Sequence, residues 1–429
     1  MIASQIKTRQ QFKSYDWRQW HILTYGEDND FPQVVNELVT ASKTGYACLD
    51  IYSDFVNGEG FGDSAVADMM VNATETGTRF LRKIVEDYTK YCGFAIHVNY
   101  TQDFHIKDMH VVPFEFCRLG TSDNGDEITH IAVHADWGRR STRFRMRWYP
   151  DEIIRYHLFD PCPETVQSEV DEAGGWESYR GQVFYLCGSS VGDLAYPIPK
   201  YVAELTDMRT EEGLANIAGR NVCSNFMLAG LLVDIMESDQ NEEQLARKQQ
   251  ELMQFQGDEN AMQLWYTTAK NKDEIPQFVS LSGDNYDSKF KTTQQVIPDN
   301  IGEAFKQPPI LRAKDVAGNL GADLFVNAYK YYNSVTYRDR CIITETLEYL
   351  FSFWWNEIPM HFDIVPLAYN TGGSYIETHG EAATAHVVEV ITNATLTIQQ
   401  KRNSLTMLFG FTEEDALKLV PNATDNTGY

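Results

Sequence analysis

Two prolines in the phrase Tyr196-Pro197-Ile198-Pro199 divide the chain into two parts with different hydrophobic periods. Proline lacks the backbone N–H that a helix interior or a central strand requires, so no regular element runs through this point. Ahead of it, Asp28-Asn29-Asp30-Phe31-Pro32 is a turn feeding a helix, with Asp30 as cap and Pro32 in the first turn. Val34, Val35, Leu38, Tyr46, Leu49, Ile51 and Tyr52 continue it, in one or two segments, to the stop at Asn57-Gly58-Glu59-Gly60-Phe61-Gly62. A second helix is expected over Thr78–Tyr91, with Phe80, Leu81, Ile84, Val85 and Tyr88 on one face. The period then falls to that of strands. Phe94–Tyr100, His110–Phe116, Ile128–His134, Phe144–Tyr149, Ile153–Phe159 and Val183–Cys187 are β-rich runs separated by turn signals such as Asp123-Asn124-Gly125-Asp126 and Gly174-Gly175. An antiparallel sheet against two helices is the expected body.

Beyond Pro199 the elements lengthen. Lys200–Arg220 reads as a helix of roughly 21 residues, about 31 Å long at 1.5 Å per residue. Phe226–Ile235 follows as a buried strand, and Asn241-Glu242-Glu243-Gln244 resembles a capping box for a helix to about Phe255. Met262–Thr268 and Gln277–Leu281 are strands. Asp284–Lys306 is a second helical stretch, bent or restarted at Pro298 and stopped by Pro308 and Pro309. Ile310–Gly321 is a polar, glycine-containing loop. Asp323 then caps the longest element, a helix to about Trp355. Phe325, Ala328, Tyr332, Val335, Ile342, Thr346, Tyr349 and Phe353 form its stripe, which includes the polar Asp339. His361–Leu367 returns as a strand, and Glu381–Val420 holds two or more short helices. The fold class is α+β.

Charge removes several functions. The 429 residues carry 36 Lys+Arg against 61 Asp+Glu, a formal net charge of −25. Such a chain repels DNA, whose phosphates recur every ~1.7 Å of axis, and this disfavours a sequence-reading repressor or a DNA coat. Contact with DNA is compatible with this charge where the contact must slip. Hydrophobic residues make up 43%, enough for a large core, and the length suggests two or three domains. Seven cysteines, an odd number without a C-x-x-C, argue for reduced thiols rather than a disulfide scaffold or zinc ribbon. The first residues, with Lys7, Arg9 and Lys13, lack the apolar core of a signal peptide. The apolar run Phe226–Val233 is far short of the ~20 residues that span a bilayer, so a soluble protein without membrane association is expected.

Chemistry-bearing motifs are sparse. Gly58-x-Gly60-x-Gly62 follows a helix rather than a strand and lacks dinucleotide-loop spacing, so it reads as a turn. His130 and His134 share one face of an expected strand, but no further ligand stands at metal spacing. No nucleophile elbow, phosphate loop or zincin motif occurs. No catalytic residue, cofactor or metal is expected. The stronger pattern is acidic: Glu204, Asp207 and Glu211 stand at i, i+3, i+7 on one helix face, with Val202, Leu205, Met208, Leu214 and Ile217 spread around the others. A helix with neighbours on two sides and a wet acidic face on the third gives this pattern; so does an ordinary solvated face.

Several phrases, taken in order, resemble the portal proteins of tailed double-stranded DNA bacteriophages. They are Asn29-Asp30-Phe31-Pro32 entering a helix that ends Val56-Asn57-Gly58-Glu59-Gly60-Phe61; Asp87-Tyr88-Thr89-Lys90-Tyr91-Cys92-Gly93-Phe94-Ala95-Ile96; and Val112-Pro113-Phe114-Glu115-Phe116-Cys117-Arg118. Tyr196-Pro197-Ile198-Pro199, Glu303-Ala304-Phe305-Lys306-Gln307-Pro308-Pro309-Ile310-Leu311 and Phe325-Val326-Asn327-Ala328-Tyr329-Lys330-Tyr331-Tyr332 continue the series, which covers roughly residues 20 to 370.

The resemblance implies a ring, usually dodecameric, at one capsid vertex of the virion, assembled in the host cytoplasm. Residues 1–199 would be wing, 200–221 the first stem helix, 222–283 an α/β clip and 284–306 the second stem helix. Residues 307–323 would be the tunnel loop, 324–378 wing again, and 379–429 a small helical crown. Glu204, Asp207 and Glu211 would line the channel. Arg312, Lys314, Asp315, Gly318, Asn319 and Gly321 would form the tunnel loop, and the cations in or near it, Lys306, Arg312 and Lys314, would touch phosphates in passing. Phe226, Leu228, Leu231 and Val233 would be buried between subunits in the clip. Implied partners are further copies of the chain, a terminase, a head–tail adaptor, major capsid and scaffold proteins, and double-stranded DNA passing without sequence specificity. The rivals are an acidic cytosolic metal-dependent hydrolase using His130 and His134, and another tail or baseplate structural protein.

Overall fold

A computed structural model describes residues 16–17, 21–26, 28–122, 127–137, 152–188, 195–223, 230–233, 277–280, 286–312, 322–356, 361–369, 386–393, 395–409, 411 and 413–420. The chain divides into two compact units. One comprises Met1–Pro308 and Thr336–Pro366; the other comprises Pro309–Val335 and Leu367–Tyr429.

In the first unit the opening helical pattern forms two helices, α1 (Phe31–Ala41) and α2 (Lys43–Asn57). Ser42 between them is extended, and its Oγ accepts the Gly45 N–H, capping α2. A short α3 (Ser64–Asp68) precedes α4 (Gly77–Tyr91), which buries Phe80, Leu81, Ile84, Val85 and Tyr88 as its spacing requires. The glycine-rich stop is a site of close backbone approach. Gly58 has φ +55°, and a Cβ there would lie 2.0 Å from the Val365 carbonyl oxygen. Glu59 and Gly62 donate to the Val365 and Asp363 carbonyls. The expected strand His361–Leu367 is reduced to one bridge, Phe61 to Ile364.

The strands are β1 (Asp16–Trp17), β2 (Ile22–Leu23), β3 (Gly93–Tyr100), β4 (Ile106–Val112), β5 (Cys117–Thr121), β6 (Ile128–Val133), β7 (Ile154–Leu158) and β8 (Gln182–Cys187). They form one sheet in the order β1-β2-β5-β6-β7-β8-β3-β4. The expected strand His110–Phe116 is broken at Pro113. Without an N–H there, β4 stops, a 3-10 turn occupies Phe114–Phe116, and β5 starts at Cys117. The sheet is mixed rather than antiparallel, because β7 and β8 run parallel. Between them lies α5 (Pro163–Ala173), the crossover that parallel neighbours require. The expected strand Phe144–Tyr149 lies outside the described residues.

Arg118 on β5 is fully buried and satisfies its guanidinium without a carboxylate. It donates to Asn29 Oδ1 and O, the Glu115 and Cys117 carbonyls and Gln33 Oε1, and lies 5.7 Å from the Tyr25 ring and 5.2 Å from that of Trp137. One side chain thereby fastens the turn before α1 to the start of β5.

After α6 (Leu205–Cys223) and α7 (Tyr286–Ala304) comes the long helix α8, Ala322–Phe351, so Asp323 lies in its first turn instead of capping it. Its buried positions in the first unit are Thr336, Asp339, Arg340, Ile343, Thr346, Leu347, Leu350 and Phe351, whereas Tyr349 of the expected stripe is exposed. The stripe is rotated because polar residues with bonding partners occupy its centre. The Asp339 carboxylate accepts the Tyr52 hydroxyl at 2.7 Å, the Tyr88 hydroxyl at 3.2 Å, and Lys200 Nζ at 2.5 and 2.7 Å. Burial raises both phenols and Asp339 adds to it, so both remain protonated donors. Arg340 donates to the Phe55 carbonyl at 2.8 Å and Thr336 Oγ1 at 2.7 Å.

In the second unit, Pro309–Arg312 is a 3-10 turn, and Phe325 stacks on Tyr369 at 5.3 Å. A helical segment 386–392, α9 (Ile398–Phe409) and α10 (Glu413–Leu419) enclose Val387, Leu405, Ala416 and Val420. The Arg402 guanidinium donates to the Val420 carbonyl at 2.8 and 2.6 Å.

Asp339→Ala leaves two buried phenols without their acceptor, while exposed Lys200 returns to water, so it is expected to cost about 1–3 kcal/mol per orphaned hydroxyl. Thermal unfolding of the full chain checks this: the melting temperature should fall by several degrees, and by less for Asp339→Asn.

Candidate functional site: a helix pair bearing two short strands

After Pro199 the chain leaves the sheet through a 3-10 turn, Val202–Glu204, into α6 (Leu205–Cys223). It returns along α7 (Tyr286–Ala304), which runs through Pro298 without restarting. Asn300 near the end of α7 donates to Asp207 near the start of α6 at 2.9 Å, so the helices are antiparallel. Leu205 and Met208 on α6, and Ile297 and Ile301 on α7, are buried. Tyr201 stacks on Phe305 at 4.6 Å, and Gln307 donates to the Cys48 carbonyl at 2.5 Å, seating the end of the pair on α2. Gly45 of α2 lets α6 approach: a Cβ there would meet the Met208 sulfur at 3.0 Å.

Glu204, Asp207 and Glu211 do share a face, but it is not the wet face expected. All three are half-buried. Glu211 accepts from Ser42 Oγ at 2.5 Å, and from Thr44 N at 3.1 Å and Oγ1 at 2.6 Å, placing its charge at the N-terminus of α2. Asp207 is taken by Asn300. Burial raises the Glu204 carboxyl, and Asp207 raises it further by charge and by a shared hydrogen bond. Two of the three positions in the i, i+3, i+7 pattern, Asp207 and Glu211, answer donors on neighbouring helices. The exposed residues of α6 include Thr206, Arg209 and Thr210 and, round the helix further on, Ala215, Asn216 and Ile217. Ser42, Thr44 and Asn300 were not singled out in the sequence, and of these only Ser42, as a cap, has a local signal.

Between the helices, β9 (Gly230–Val233) pairs antiparallel with β10 (Gln277–Ser280), matching Leu231 with Val279 and Val233 with Gln277. The expected strand Phe226–Ile235 is thus described over four residues and paired within its own chain. Phe226, Leu228, the capping box and Met262–Thr268 lie outside the described residues. Arg312 closes a 3-10 turn. Lys314, Asp315, Gly318, Asn319 and Gly321 lie outside the described residues.

The histidines do not converge on a metal. His130 lies against Gly120, with Thr129 Oγ1 3.0 Å from its Nδ1. Burial, then Arg155, His21 and His157, push its pKa down to about 4. His134 lies beyond the end of β6, and its Nδ1 accepts the Asp136 N–H at 3.0 Å. Among the described residues no three His, Cys, Asp or Glu side chains stand where they could hold a metal, and no helix is long and apolar enough to cross a membrane.

No protein-family model matches the chain, and no curated protein matches it. Solved structures similar to it include "Neck of native GTA particle computed with C12 symmetry", at 13% identity and TM-score 0.41 over 84% of this chain and 89% of that one. Another is "Neck of empty GTA particle computed with C6 symmetry", at 12% identity and TM-score 0.44 over 88% and 93%. A third is "Virion of native gene transfer agent (GTA) particle", at 11% identity and TM-score 0.42 over 88% and 93%.

Glu211→Ala removes the shared acceptor of Ser42 and Thr44 and is expected to destabilise the chain by about 1–3 kcal/mol. Denaturant unfolding checks this. A carboxylate on a free face would give no measurable change.

Proposed function

We propose that the chain is a portal-type subunit of a phage-like particle, a non-enzymatic protein that closes into a ring, usually of twelve copies. In this reading the ring is a conduit for DNA packaging and ejection at the head–tail vertex of the virion. The observation that carries it is the antiparallel α6–α7 pair, which leaves a mixed α+β body, bears β9 and β10 at its far end and returns to a long helix. That order matches the wing, stem, clip, stem and long wing helix implied by the sequence resemblance.

In this reading the strand pair meets a terminase and later a head–tail adaptor. The sheet body contacts capsid and scaffold proteins, residues 307–323 form the tunnel loop, and 379–429 form the crown. Double-stranded DNA passes without sequence specificity. A net charge of −25 per subunit suits a wall that encloses a polyanion without holding it. The bond partners of Asp207 and Glu211 assign much of that repulsion to other acids of the chain. Among the described residues β9 and β10 pair only with each other, and strand pairing between neighbouring subunits would close the ring at the clip. Like-charged copies repel, so assembly should strengthen as salt screens them.

Light scattering of the purified chain tests the reading. A particle near a dozen times 49.1 kDa, favoured by added salt, is the expected result, and a monomer at all salt concentrations overturns it. Leu231→Asp in β9 should reduce the ring fraction more than it lowers the subunit melting temperature. Rings formed to parental level would remove β9 from the interface.

A further inference from the structure

We propose that the chain's own basic N-terminal segment, residues 1–15, docks in an acidic groove between α1 and the start of β5. The groove encloses about 830 Å³. One wall is α1; the other is the 3-10 turn ahead of β5 together with the residues that follow β6. Asp30, Glu37, Glu115 and Asp136 line it, with Phe116 and Trp137. Two cations reach this lining, each through an amide: Arg118 donates to Gln33 and Lys90 to Asn36. Among the described lining residues themselves none is Lys or Arg. Carboxylates gathered in one concave space repel one another. Carboxylates beside aromatic and aliphatic surface suit a side chain with an apolar stem and a cationic tip, as Lys and Arg have.

The register of the sheet points to the occupant. Asp16 and Trp17 of β1 pair with Leu23 and Ile22 of β2, and Ile22 pairs in turn with Gly120 of β5, both times antiparallel. β1 therefore runs in the direction of β5, and the residues before Asp16 lead toward the start of β5, where Glu115 and Phe116 stand. Ile22 also packs with Trp137, so the root of the segment is one strand removed from a ring of the groove. Lys13, Arg9 and Lys7 lie three, seven and nine residues before Asp16. An extended chain carries them up to about 10, 23 and 30 Å in that direction. Glu115 is only five residues before Gly120, so the reach suffices.

Charge agrees with direction. Residues 1–15 carry Lys7, Arg9 and Lys13 and no acid, in a chain of net charge −25. Docking sets these cations against the carboxylates of the groove and relieves the repulsion among them. Phe12, beside Lys13, brings an aromatic side chain to the same place. The inference concerns one subunit and holds whether or not copies close into a ring.

Limited trypsin digestion of the full chain tests it, because the protease cuts after Lys and Arg. Cleavage after Lys7 and Arg9, read by mass spectrometry, should run about tenfold or more slower than in a synthetic peptide of residues 1–17. Salt at about 0.5 M screens the pairs and should speed cleavage about three- to tenfold relative to the peptide at the same salt. Ring closure would act the other way, since salt favours assembly and assembly hides surface. Glu37→Gln combined with Asp136→Asn should give the same rise at low salt, and the salt response serves alone if that variant perturbs the fold. A carbodiimide, which condenses a Lys amine with a carboxylate, should join Lys7 or Lys13 to Glu37 or Asp136 within one chain. A parent cut as fast as the peptide, or a rate that neither salt nor the double variant changes, overturns the docking. Cross-links joining the segment of one copy to the groove of another overturn its assignment to the same chain.

Discussion

One buried carboxylate organises the first unit. Asp339 is almost fully enclosed, and an ionised group in such a place costs several kcal/mol unless its lone pairs are answered. Here they are answered from three directions: Tyr52 on α2, Tyr88 on α4 and Lys200 at the entry to α6. Because each donor belongs to a different element, satisfying one charge sets the relative positions of α2, α4, α8 and the point where the chain leaves the sheet. Tyr201, the next residue after Lys200, stacks on Phe305, so the same point also seats the returning helix.

Carboxylates do comparable work at the helix pair. Glu211 closes the N-terminus of α2, and Asp207 ties α6 to α7 through Asn300. An acidic chain is thus not simply a chain with an acidic coat, since part of its charge is consumed in holding helices together. Among the described residues, the exposed positions of α6 include Thr206, Thr210 and Asn216 beside Arg209, which offer hydroxyls and amides. Such a surface would bind a passing polyanion weakly, which suits a conduit as well as strong repulsion does.

Much of the fold was legible because its signals are local. The faces of α4, the Pro197–Pro199 boundary and the departure and return of the helix pair follow from spacing and prolines within a few residues. What was misjudged depends on distant partners. Whether β7 runs parallel to β8 turns on α5, whose buried Val166 and Val170 make too thin a stripe to stand out. The α8 stripe was rotated because hydrophobicity ranks Thr336, Asp339 and Arg340 as surface residues, while their partners lie on α2, α4 and Lys200. Glu211 shows the same limit: its acceptor role depends on Ser42 and Thr44, far away in the chain, and nothing within a turn of it distinguishes a tie from a solvated acid.

The central claim is that this helix pair faces the opening of a closed ring. Single-particle imaging of the assembled chain, with a gold-labelled cysteine at exposed Asn216 of α6, tests it most directly. The account predicts closed rings viewed end-on, with the label at the inner wall and β9–β10 at one axial end. Labels on the outer rim of a ring, or particles that do not close, would contradict it.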